Sequence, residues 1–130
     1  MILLATTPAV GHADPSVEKL IEATQIETNR IYEAAKPSEL ARAFDAVLRK
    51  PHARDALIYL FQHAKTDAGR IYALAGLHSV DTNEYHVRVA QVPADNTAKA
   101  MWYDVVRILP VKDLVKMIES GALEQILRSQ

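Results

Sequence analysis

The chain contains no cysteine. Disulfides, thiolate nucleophiles and zinc sites built on sulfur are therefore excluded. Glycine is scarce, and the four glycines stand apart from one another, so no glycine-rich loop is present to cradle a phosphate. Neither sign of charge predominates: 15 Lys and Arg face 16 Asp and Glu, with no run of one sign. Nucleic acids and anionic membrane surfaces both demand a basic stripe to neutralise phosphates, so neither is an expected partner. None of the serines sits in a G-x-S-x-G or S-x-x-K arrangement. The longest apolar opening, MILLATTPAV, falls short of the roughly 20 residues that cross a bilayer.

What remains is an ordinary globular composition, with 49% of the 130 residues apolar and 24% charged, enough for one domain with one core. The apolar start runs into Gly11-His12-Ala13, which places small residues where a signal peptidase reads. Residues 1–13 are accordingly expected to be a signal-peptide remnant, although no Lys or Arg precedes the run, and 14–130 a single helical domain. Cleavage after Ala13 makes the mature chain periplasmic or secreted; without it the chain is cytoplasmic.

Start and stop signals divide the domain into about seven or eight short helices. Asp14-Pro15 opens the first, whose apolar stripe continues through Val17, Leu20, Ile21, Thr24, Ile31, Tyr32 and Ala35 until Pro37. Ser38 caps a second helix with Leu40, Ala41, Phe44, Val47 and Leu48 inward; Glu39 with Arg42 and Asp45 with Arg49 are expected as ion pairs on its surface. Residues 51–81 form the most apolar part, two amphipathic helices meeting at Lys65-Thr66. In the second of them Gly69, Ala73 and Gly76 make a strip of small residues at i, i+4 and i+7. A mid-helix glycine costs about 1 kcal/mol relative to alanine, so the strip predicts close approach of a neighbouring backbone.

Asp81 and Glu84 fit a capping box for a short helix ending before Pro93, and Gly121 fits the stop of a helix begun at Pro110. Ala98, Met101, Trp102, Val105, Val106 and Leu109 fit helical spacing, while the β-branched pair Val105-Val106 keeps open a short β-hairpin within 85–109, paired with residues 85–92. The expected fold is all-α, a compact array of short antiparallel helices.

The pair at 51–81, with Asp67, Arg70, Ala73, Ala75, Gly76 and Leu77 in D-x-x-R…A-x-A-G-L order, resembles a HEAT-type α-helical repeat. The resemblance implies a HEAT-like α-solenoid scaffold for binding other proteins and carries over no catalytic residue.

The candidate protein-binding surface is Arg54, Tyr59, Arg70 and Tyr72, arginines and amphipathic aromatics on the central pair. The expected function is that of a non-enzymatic protein-binding module of the cell envelope, of immunity or adaptor type, with no cofactor and no metal. No two of the five histidines share the i,i+4 helix spacing of a zinc site. An alternative is a small-ligand-binding or enzymatic pocket around His78, His86 and Trp102, with His63 and Glu84 nearby. A third reading is a structural subunit whose apolar faces close only in an oligomer.

Overall fold

A computed structural model describes residues 14–28, 38–103 and 105–128. Among these, seven helices and three short strands follow in the order α1 (Pro15–Ile21), β1 (Ile26–Glu27), α2 (Glu39–Leu48), α3 (Ala53–His63), α4 (Asp67–Val80), α5 (Thr82–Val89), β2 (Thr97–Trp102), β3 (Val105–Pro110), α6 (Val111–Glu119) and α7 (Ala122–Leu127). The fold is mostly helical but not all-α, because the three strands join in one mixed sheet of order β1-β2-β3.

Local capping chemistry sets the helix starts. The Asp14 carboxylate accepts from the amides of Ser16 and Val17 ahead of Pro15, the Ser38 hydroxyl accepts from Ala41, and Thr66 accepts from Gly69. Burial pushes the Asp14 carboxyl up in pKa, but hydrogen bonds from Lys50 and from its two capped amides leave it below the ordinary range. Asp81 caps α5 by accepting from Glu84. The return half of the predicted capping box is missing: the Asp81 amide donates to Leu77 instead, and the Glu84 carboxylate turns to Arg54 and Arg88. Gly121 stops α6 in the left-handed region, at φ 84°.

The core is organised on α4. Ile71 to Leu77 are seven consecutive buried residues, so this helix is enclosed on all sides rather than on one face. The small-residue strip lets its neighbours in. A Cβ on Gly69 would stand 2.8 Å from Ala64 Cβ and 2.9 Å from the Leu20 carbonyl oxygen, so the backbone of the last turn of α1 does press on it. At Gly76 the close neighbour is a side chain: a Cβ there would lie 2.7 Å from a Leu57 methyl.

Three expectations are corrected. The first helix ends at Ile21, not near Ala35, because the α3–α4 connection captures its end: Lys65 N–H donates to the Ile21 carbonyl and the Thr66 hydroxyl to that of Ala23. The chain then enters β1, and Ile31, Tyr32 and Ala35 lie outside the described residues, as does the whole of 1–13. Secondly, 97–110 is a hairpin rather than a helix, and its first strand is Thr97–Trp102; residues 85–89 belong to α5. Alternation shows why: Ala98 and Ala100 are buried while Thr97 and Lys99 are exposed, the period of two that a strand requires. Tyr103, at φ 57°, takes the left-handed geometry of a tight hairpin turn. Thirdly, Asp45 is no surface ion-pair partner but is 2% exposed, reached by Arg49 from α2 and by Arg128 from the end of α7. Glu39 pairs with Lys19 of α1 rather than with Arg42.

Candidate functional site

The expected binding surface does not assemble. Tyr72 lies fully buried on α4, its ring tilted against Phe44 at 5.6 Å between centroids. Its hydroxyl accepts from the Glu27 N–H at 2.9 Å and donates to the Glu27 carbonyl at 3.3 Å. Thr28 N–H bonds the Met101 carbonyl of β2, so its neighbour Glu27 turns both backbone groups away from the sheet. Tyr72 satisfies both of them, and one edge of the sheet is thereby closed by a phenol. Burial pushes the Tyr72 pKa up, keeping the hydroxyl protonated for this double role.

Arg54 is exposed but occupied. Its guanidinium donates to Asp81 at 2.7 Å, to Asp55 at 3.2 Å and to Glu84 at 3.4 Å, tying the start of α3 to the α4–α5 junction. The hydrogen bond from Arg54 holds the Asp81 carboxyl below its usual range. Glu84 also accepts from Arg88 at 2.6 Å, whose guanidinium lies 5.9 Å from the Phe61 ring centroid. Arg70 bonds Asp67 in the first turn of its own helix and the Ala64 carbonyl at the end of α3. Half-buried Tyr59 stacks on His63 at 4.0 Å. These side chains brace helices, and only Arg54, Tyr59 and Arg70 retain any exposure.

The predicted pocket is split as well. His78 and His86 both meet Tyr85 edge-on, at 4.9 and 5.2 Å between centroids, so the buried tyrosine ring is their common contact. The Tyr85 hydroxyl donates to Glu119 at 2.9 Å; burial and this carboxylate both raise its pKa. Trp102 sits at the end of β2 opposite Val105 and makes no ring contact with either histidine. Among the described residues, open clefts elsewhere include one of about 410 Å³ beside Lys19, Glu39 and Arg42 and one of about 440 Å³ around Lys50, His52 and Arg54. Among the described residues no group of three or more His, Asp or Glu is placed to hold a metal ion, and no helix is long and apolar enough to cross a membrane.

The feature that stands open is β3. It is the edge strand of the sheet, and Val105, Val106 and Ile108 are 54%, 53% and 62% exposed. Its register against β2 pairs Ala98 with Leu109, Ala100 with Arg107 and Trp102 with Val105 on one face. Lys99 with Ile108 and Met101 with Val106 make the other. No family model, curated protein or solved structure matches the chain. The site therefore rests on its own geometry. A strand that presents unpaired backbone groups beside exposed β-branched side chains is a template for another strand. Val105-Val106 is the visible sequence signal for it, but the exposure of these side chains depends on how the helices pack around the sheet, which no local pattern encodes.

Proposed function

We propose that the protein is a non-enzymatic protein-binding module that takes up an extended segment of its partner along β3. The observation that carries this reading is the uncovered edge itself, with Val105, Val106 and Ile108 each more than half exposed. Sheet-edge addition obtains affinity from main-chain hydrogen bonds and specificity from alternate side chains. The opposite edge is already closed by Tyr72, so addition is directed to one side. α4, the second helix of the HEAT-like pair, packs behind the sheet as its support, and masking a partner's segment in the manner of an immunity or adaptor protein is the concrete form of the activity. Removal of residues 1–13 as a signal places that partner in the periplasm or outside the cell. N-terminal sequencing of protein from its native host tests the location: an end at Asp14 supports export, and an intact Met1 contradicts it.

Site-specific photocrosslinking in host extract tests the binding surface. A crosslinking residue at position 106 should give discrete adducts that a second substitution, Ile108→Lys, removes. The same probe at Lys112, on the exposed side of α6, should give none. Equal adducts from both positions would refute the assignment to β3.

A further inference from the structure

Two hydrogen bonds fix which way the backbone of β3 points. Val111 N–H donates to the Asn96 carbonyl at 2.7 Å, continuing the β2–β3 ladder by one step. Alternation from there turns the amides and carbonyls of Leu109, Arg107 and Val105 toward β2 and those of Val106 and Ile108 outward. Pro110, which has no N–H to offer, falls on an outward position, as edge prolines do. The Thr28 to Met101 bond on the far side of β2 agrees with the same alternation. The open edge is thus short, bounded by Pro110 and α6 at one end and by the turn at Tyr103 at the other.

An antiparallel segment of three residues satisfies Val106 and Ile108 completely, whereas a parallel one needs five to reach the same groups. Its outer two residues lie beside Val106 and Ile108, on the face that carries Met101 behind Val106 and Lys99 behind Ile108; their direct neighbours are the two apolar side chains, so they should be apolar. Its middle residue faces Arg107 across a non-hydrogen-bonded pair, the closest spacing in the ladder at about 4.5 Å between Cα atoms. Arg107 is exposed and has no ion-pair partner among the described residues. A second copy of the chain docked through the same outward groups would set Arg107 against its own copy at that spacing, and like charges directly opposite destabilise a pair. A carboxylate there is matched instead.

Building on the reading of β3 as a docking edge, we infer that its occupant is an antiparallel extended segment of apolar–acidic–apolar pattern, with Asp or Glu facing Arg107. The test uses the full chain and two acetylated nine-residue peptides of identical flanks, one with Val-Glu-Val and one with Val-Arg-Val at its centre, titrated by two-dimensional NMR. The Glu peptide should bind about five-fold more tightly at low salt, the difference between a favourable and a like-charged cross-strand pair. The preference should shrink at about 1 M salt, where the screening length is near 3 Å. Arg107→Glu should invert it, with the far-UV circular dichroism unchanged. Equal affinities with shifts confined to Val106 and Ile108 would overturn the acidic occupant while leaving the docking edge standing. Binding of neither peptide, with dimerisation in light scattering, would assign the edge to a second copy. Binding of neither by a monomer would overturn both readings.

Discussion

Replacing Tyr72 by phenylalanine removes one oxygen and keeps the shape of the ring. The oxygen serves two backbone groups, the Glu27 N–H at 2.9 Å and the Glu27 carbonyl at 3.3 Å. A neutral hydrogen bond contributes about 1 kcal/mol net, and stranding a buried donor costs a further 1–3 kcal/mol or so. The second bond is long, and half-buried Glu27 can recover some hydration, so the lower ends apply. The gain from burying a ring without its hydroxyl offsets part of the loss, leaving about 2 kcal/mol of destabilisation for Tyr72→Phe. For a chain of 130 residues that corresponds to a fall in Tm of roughly 6–10 °C. Urea denaturation with global fitting reads the free energy. Amide exchange at Thr28, whose N–H bonds Met101, shows whether β1 loosens locally. Tyr103→Phe, on an exposed ring, is the control and should stay within about 0.5 kcal/mol of the parent. A Tyr72→Phe protein as stable as that control would refute the claim that this phenol closes the sheet edge.

The two glycines of α4 should respond differently to alanine. At Gly69 the new Cβ meets Ala64 Cβ and the Leu20 carbonyl, which have no rotamer freedom, so overpacking of about 1–3 kcal/mol outweighs the roughly 1 kcal/mol gained in helix propensity. At Gly76 it meets the ends of Leu57, which can rotate away, so thermal melts should place Gly76→Ala within about 1 kcal/mol of the parent. Asp45→Ala should cost about 2 kcal/mol by chemical denaturation, because a buried acceptor shared by α2 and α7 is lost, and should speed amide exchange in α7. The folded pKa of Asp81 is depressed, so its contribution is complete above the ordinary aspartate range and is lost as pH falls through the folded value; acid melts of Asp81→Asn should lack that part of the limb. For Tyr72 and Tyr85 the folded pKa is raised, so their contribution is complete below about pH 10 and is lost above it. Ultraviolet titration should therefore show two tyrosines that ionise only as the chain unfolds.

Much of the helical framework is legible in the sequence because capping is local. Asp14, Ser38, Thr66, Asp81 and Gly121 each act on amides or carbonyls within a few residues. The sheet is not legible in that way. β1 is two residues long and exists only through its pairing with β2, more than 70 positions on. The hairpin turn carries Tyr103 rather than the glycine or asparagine that normally marks such a turn, so a helical stripe fits the same letters. Tyr72 illustrates the remaining gap. A tyrosine with a polar tip reads as a rim residue until its hydroxyl finds a partner 45 positions away. Arg54 and Arg70 show a related gap, since charges that look free in one helix are taken up by carboxylates and carbonyls at helix ends, Asp81 for Arg54 and Asp67 with the Ala64 carbonyl for Arg70. The open edge of β3 follows from its place in the strand order, and only the assembled fold displays it.

Amide hydrogen exchange across β3 in the isolated 130-residue chain reads the open edge itself. Arg107 and Leu109, turned toward β2, should be protected, while Val106 and Ile108, turned outward, should exchange nearly as freely as in an open chain. Protection of Val106 and Ile108 in the monomer, equal to that of their neighbours, would show the edge already covered and β3 closed to a partner strand.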